Sequence, residues 1–153
     1  GWCIGGAIVL VQMCDLCVAS EDAKFTYPEA KLGFAGGAIS SIAARMPHKI
    51  AMELLLLGDE ITAERAYQVG FVNKVVSSDK VLEAAYNYAE RLAKNAPMVL
   101  AMLKNFALQT LPKGPMELAS LAMREVDAVM DSDDRIEGMT SYSEKRPPIY
   151  RGK

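Results

Sequence analysis

The chain has 153 residues, of which 51% are apolar and 24% charged, and a net charge of −2. This length suits one domain or part of one, and the apolar share can fill a core, which excludes a disordered chain. The slightly acidic balance, with no basic run and no interleaving of aromatic and basic residues, excludes nucleic-acid binding driven by charge.

The chain opens on Gly1–Ala7, where adjacent Gly5 and Gly6 precede the apolar run Ile8–Met13. That pattern predicts a tight turn opening a buried helix. The apolar stretch Ile4–Ala19 carries Gln12 and Asp15 and is too short to span a bilayer. It has neither the basic start nor the cleavage site of a signal peptide, so a cytoplasmic protein, or one of the mitochondrial matrix, is expected. A glycine-rich start without Met reads as mid-domain, and hence as a piece of a longer protein. Cys3, Cys14 and Cys17 make an odd count, which argues against a secreted disulfide framework. Cys14 and Cys17 match C-x-x-C but have no second pair, and His48 is the one histidine. They read as small buried residues flanking a strand, and no metal site is expected.

Leu16–Ala19 and Lys24–Tyr27 are predicted strands, the second stopped by Pro28. A glycine-rich loop follows at Gly33–Gly37. Ala38–Met46 and Lys49–Leu57 read as helices separated by Pro47, the second ended by Gly58. Thr62 is positioned as the N-cap of a short helix that Gly70 ends, and Phe71–Val76 reads as a strand. Beyond that the pattern is helical. One stripe is Val81, Leu82, Ala85, Tyr88, Ala89 and Leu92; another is Val99, Met102, Leu103 and Phe106; a third, weaker one is Leu118, Leu121, Ala122, Glu125 and Val129. Asp134 and Glu137 have the spacing of a capping box for a last helix that stops before Pro147. The nine methionines read as core filler. The layout is mixed α/β to about Val76 and helical after it.

Two weak signals carry chemistry. A glycine pair at a helix N-terminus lets a ligand oxygen approach unpaired N–H groups. It is neither a G-x-G-x-x-G fingerprint nor a phosphate-binding P-loop. Glu29, just after the strand-ending Pro28 and before a glycine-rich loop, is a candidate general acid/base; taken alone, a surface glutamate is the plainer reading. Lys31 and His48 read as solvated or structural.

In register, these segments closely resemble the crotonase superfamily, the enoyl-CoA hydratases and isomerases. The resemblance rests on Gly1-x-x-x-Gly5-Gly6, Cys14-Asp15, Ala23-Lys24-Phe25, Pro28-Glu29 with Gly33, and Ala51-Met52-Glu53-Leu54 with Leu57-Gly58. It continues through Ala63, Ala66 and Gly70-Phe71-Val72, then Asp133-Asp134 with Glu137-Gly138, and Glu144-Lys145-Arg146 with Pro148. The resemblance implies the C-terminal part of a spiral of ββα units, an α/β core over 1–78, and a helical oligomerisation region over 79–153 that assembles trimers or hexamers. It implies an acyl-CoA thioester as substrate, coenzyme A as part of that substrate, and no further cofactor. In such enzymes two backbone N–H groups hold the thioester oxygen. One matches Gly6; the other belongs to a segment outside this chain. Losing one such donor typically costs roughly 2.7–4 kcal/mol.

Family hydratases commonly use two glutamates, one matching Glu29 and the other falling at Val9, an apolar wall that cannot move a proton. The opening Gly1-Trp2-Cys3 with Gly5-Gly6 is also similar to the hydroxycinnamoyl-CoA hydratase-lyases, which lack that second carboxylate. The loop Gly33–Gly37 looks shortened against the family pattern and lines the acyl pocket in relatives. The implied site is therefore Glu29 and the Gly6 N–H, with Gly5, Val9, Tyr27, Leu32 and Gly33 around the substrate. The activity implied is that of a hydratase or lyase. Isomerase or decarboxylase chemistry, or a non-catalytic self-associating fragment, are the alternatives. The chain alone is expected to be inactive.

Overall fold

The structure is a computed structural model that describes residues 1–34, 36–110, 122–123, 126–127 and 129–152. In chain order, the elements are β1 (Trp2–Ile4), α1 (Gly6–Met13), β2 (Val18–Ser20), β3 (Lys24–Thr26), α2 (Glu29–Leu32) and a 3₁₀ segment at Gly37–Ala44. Then come α3 (His48–Met52), a wide π turn at Glu53–Leu57, β4 (Ile61–Thr62), α4 (Ala63–Gln68) and β5 (Lys74–Val76). A short 3₁₀ turn, Ser78–Lys80, leads into α5 (Val81–Ala93), α6 (Pro97–Thr110) and finally α7 (Asp133–Glu144).

Two small sheets carry the α/β half. β1 and β4 flank β3, parallel and antiparallel to it respectively, and β2 pairs in parallel with β5. Each parallel pair is joined through intervening helix, as parallel connections require. Between the sheets and helices sits one apolar core around Ile8, Phe25, Ile42, Leu54, Phe71 and Val72. Phe25 and Phe71 meet edge to face at 5.7 Å between centroids, the arrangement that the ring quadrupoles favour.

Several expected elements take a different form. Leu16–Ala19 shifts to β2, while Lys24–Tyr27 and Phe71–Val76 shorten to β3 and β5. The helix expected over Ala38–Met46 is 3₁₀, and the one over Lys49–Leu57 changes from α to π geometry at Glu53. The helix after Gly5 is not buried all round. Only Ile8 and Gln12 are enclosed, and Leu10 is 68% exposed. Gln12 is held because its Nε2 donates to the Ala38 carbonyl and its Oε1 accepts from the Ser41 hydroxyl, which ties α1 to the 3₁₀ segment. Thr62 caps α4 as expected, its Oγ1 accepting from the Arg65 N–H at 3.2 Å. Gly58 and Gly70 end their helices with left-handed turns.

The capping box expected at Asp134 and Glu137 does not form. Ser132 is the cap, accepting from the Arg135 N–H, and both carboxylates turn instead to the chain's tail. The cysteines are free, but Cys14 is exposed rather than buried, since the helix end on which it sits faces outward. His48 is exposed at the start of α3. Of the third helical stripe, Leu118, Leu121 and Glu125 lie outside the described residues, while Ala122 and Val129 are helical. Among the described residues, no cluster of three acidic, histidine or cysteine side chains could hold a metal, and no helix is long and apolar enough to cross a membrane.

Candidate active site

The site follows from the register of β1 on β3. Ile4 pairs with Thr26 in parallel, so the turns that leave the two strands emerge at the same end of the sheet. One is Gly5–Gly6, opening α1; the other is Tyr27-Pro28, opening α2. The Gly5 N–H donates to the Thr26 carbonyl at 3.1 Å and pins them together. Clefts beyond the carboxyl ends of parallel strands are where α/β folds place ligands.

Glu29 is the first residue of α2, and its carboxylate lies over Gly5. A Cβ built on Gly5 would stand 2.5 Å from Glu29 Oε1. Gly5 has φ 54° and ψ −114°, a conformation that a side chain would strain. The glycine thus does two things here: it makes the turn, and it leaves room for the carboxylate. Gly6 begins the helix, is exposed, and would have open space around an added Cβ. Its N–H belongs to the first turn, where helix donors have no intrahelical acceptor and carry partial positive charge.

Tyr27, Glu29, Ala30, Phe34, Gly36, Ile39 and Leu55 line a cavity of about 290 Å³ with Ala122, Val126 and Val129. Its described lining is apolar apart from the Glu29 carboxylate and the Tyr27 hydroxyl, which donates to the Gly36 carbonyl at 3.2 Å. Glu29 Oε2 is buried and has no hydrogen-bond partner among the described residues. Burial pushes the Glu29 carboxyl above its ordinary value. Burial, and then the Glu29 charge, push the Tyr27 phenol up to about 12, so it remains a donor.

Of the residues singled out from sequence, Gly5, Tyr27 and Glu29 come together, with the Gly6 N–H at the adjoining helix start. Val9 does not join them. It is partly buried against the core and is absent from the described lining of the cavity. Leu32 and Gly33 are likewise absent from the described lining, and α7 packs against their end of α2: a Cβ on Gly138 would collide with the Leu32 carbonyl, and one on Gly33 would lie 2.6 Å from the Asp134 carbonyl. Phe34, Ile39 and Leu55 were not singled out as site residues. Each sits in a loop or helix whose apolar residues look like ordinary core in one dimension. Ala122 and Val129 were visible only as members of a helical stripe.

The raised carboxyl has a consequence for stability. The folded state keeps the Glu29 proton to higher pH than the unfolded state, whose carboxyl titrates near 4.5. As pH rises past that value the unfolded state binds fewer protons, so stability falls until the folded carboxyl has also ionised. Glu29→Gln has no such term. The melting-temperature difference, Glu29→Gln minus wild type, should therefore increase between about pH 4 and pH 7. Thermal melts at both pH values check this, and a flat or decreasing difference would show the carboxylate to be solvated.

The family model for enoyl-CoA hydratase/isomerase matches residues 1–153. The carnitinyl-CoA dehydratase of Salmonella typhi is 33% identical over 159 residues, covering 100% of this chain and 61% of the relative. A crystal structure of carnitinyl-CoA hydratase from Mycobacterium avium superposes with a TM-score of 0.90 at 33% identity, over 100% of this chain and 60% of that one. Methylmalonyl-CoA decarboxylase gives a TM-score of 0.82 at 27% identity, again over 100% of this chain and 61% of the other. The chain therefore has a crotonase-like α/β fold and spans about three fifths of the length of these relatives. That share fixes a length and not a place, so it does not support the expected assignment to the C-terminal part of the family fold.

Proposed function

Because the chain belongs to the enoyl-CoA hydratase/isomerase family, we propose that the complete protein adds or removes water, or an equivalent nucleophile, across the double bond of a 2-enoyl thioester of coenzyme A. The observation that carries this reading is the half-buried Glu29 carboxylate, with Oε2 buried, held over Gly5 at the opening of α1.

In the proposed reaction the thioester oxygen sits at the Gly6 N–H and a second donor from outside this chain. Glu29 takes a proton from water as the water oxygen bonds to the β carbon. The electron pair of the double bond moves onto the thioester oxygen as an enolate. Fixed donors stabilise that charge where it develops, without reorganisation. The enolate then collapses and takes a proton at the α carbon from Glu29. One carboxyl thus serves as base and then acid, which suits a chain that has Val9 where the family resemblance would place a second carboxylate. No metal or redox group is needed, and coenzyme A arrives with the substrate. Hydratase-lyase, isomerase and decarboxylase chemistry each pass through a thioester enolate, reached by a different bond change; the similarity to methylmalonyl-CoA decarboxylase keeps the last as the second reading.

The test is to supply the complete gene product with a panel of 2-enoyl and 2-carboxyacyl thioesters and follow loss of the conjugated enoyl absorbance or release of carbon dioxide. Hydration without carbon dioxide release supports the first reading, and the converse supports the second. No turnover of either class leaves a non-catalytic self-associating protein.

The same reading divides the chain into an α/β core over 1–78 and a helical region over 79–153 that assembles trimers or hexamers. Support comes from exposure along α5 and α6, where Leu82, Val99, Leu103 and Phe106 are each about half exposed or more. Exposed apolar side chains at helical spacing, as Val99, Leu103 and Phe106 are on α6, suit burial in an interface. Light scattering of the complete protein at micromolar concentration should give at least three times the monomer mass, and Phe106→Glu should lower it. A stable wild-type monomer would overturn this assembly.

A further inference from the structure

The tail of the chain folds back onto the helix that carries Glu29. Arg146 grips Glu137 of α7 through its two terminal guanidinium nitrogens while its Nε donates to Glu144, and Glu137 Oε1 also accepts the Ile149 N–H at 2.9 Å. Next along, the two oxygens of Asp134 accept the N–H groups of Arg151 and Gly152 at 2.6 and 2.7 Å. Between these anchors the Tyr150 hydroxyl donates to the Lys31 carbonyl at 2.6 Å, across 119 residues of sequence. Lys31 belongs to α2, a single turn that cannot hold its own shape. Its other supports are local: Lys31 Nζ donates to the Gly58 carbonyl and pairs with Asp59, and α7 packs on its end through Gly138 and Gly33.

We propose that residues 146–152 form a strap that positions Glu29, with Tyr150 the positioning residue that acts through the Lys31 carbonyl. The proposal rests on reading Glu29 as the acid/base. A carboxylate wedged against Gly5 has little tolerance for movement, since misplacement by about an ångström costs roughly 10²-fold in rate. The strap is itself fixed to α7 by charge-assisted bonds, which are the stronger kind, so the Tyr150 hydroxyl that reaches the Lys31 carbonyl is held in place. The titratable and charged groups around α2 are Tyr27 on the cavity side, Lys31 with Asp59, and Asp134 and Arg135 of α7. None of them is removed when the Tyr150 hydroxyl is deleted.

The test uses Tyr150→Phe in the complete gene product. The ring stays and the donor to Lys31 goes. The expected result is a fall in kcat of about 3–10-fold, the worth of one hydrogen bond, with KM unchanged. The Glu29 carboxyl, followed by carbon-detected NMR with Glu29→Gln as the assignment control, should titrate at lower pH as water reaches it. Asp134→Asn, which can accept only one of its two backbone donors well, should lower kcat in the same way; only kcat is read for it, because losing the Asp134 charge lowers the Glu29 titration by itself. In the Glu29→Gln background, Tyr150→Phe should have no further effect. Wild-type kcat with an unmoved Glu29 titration would overturn the strap. So would a fall in kcat that comes with a lower melting temperature and an unmoved titration, since that is general loosening. If Glu29→Gln itself keeps full turnover, the acid/base reading fails instead, and the titration still reports whether the strap holds the carboxylate.

Discussion

Glu29→Gln should lower turnover of the complete protein by roughly 10²–10⁴-fold, the usual contribution of a positioned acid/base, with acyl-thioester affinity little changed. The split between the two readouts follows from geometry. Gln keeps the length of the side chain and its fit over Gly5, so the apolar cavity of Phe34, Ile39 and Leu55 would be left intact for the proposed acyl group. What it loses is the proton. A carboxyl raised by burial lies nearer to working pH than an ordinary glutamate, which is the condition under which it can both take a proton from water and return it to carbon. Val9→Glu in the same background should not restore activity. Val9 packs partly against the core and is absent from the described lining of the cavity, so a carboxylate there would not take the place that Glu29 holds over Gly5. Turnover and thioester affinity, measured for both variants, decide the matter. Near wild-type turnover of Glu29→Gln would make Glu29 a structural carboxylate and end the proposed mechanism.

The parts of this site that were legible in the sequence are those written in local backbone chemistry. Gly5 before an apolar run and Pro28 before Glu29 each announce a turn, and Thr62 announces a cap. Less legible were the very short elements. Trp2–Ile4 and Ile61–Thr62 are strands of three and two residues, too short for an alternating pattern to show. Their pairing matters most, because the parallel register of Ile4 on Thr26 brings Gly5 to Glu29, and no periodicity encodes a contact across that gap. The C-terminal end misled for the opposite reason. Asp134 and Glu137 have capping spacing, yet Ser132 sits where the helix starts and already satisfies the first turn, leaving both carboxylates for the tail. Tertiary partners won over a local motif, and they did so at the element now proposed to steady Glu29.

Gly5→Ala should prove nearly as damaging to activity as loss of the carboxylate itself, although it removes no chemical group. Two costs fall on one methyl. The first is conformational: φ 54° with ψ −114° is a region that glycine enters freely and that alanine must be forced into, at about 1–3 kcal/mol. The second is steric, since the new carbon would stand 2.5 Å from Glu29 Oε1, well inside van der Waals contact. Either the turn relaxes, which swings the Gly6 N–H at the head of α1, or Glu29 moves off the glycine. Both break the alignment of oxyanion donor and acid/base, and misplacement on the order of an ångström costs roughly 10²-fold. Gly6→Ala is the informative companion, because among the described residues nothing lies within 4 Å of a Cβ there, and its φ is not positive. Its fold should be retained, so any loss of turnover it causes reflects crowding of the ligand and not damage to the turn. The measurement is kcat/KM beside the melting temperature for both variants of the complete protein. A Gly5→Ala protein with wild-type kcat/KM would mean that the carboxylate does not work from its place over the glycine, and the site as built here would be wrong.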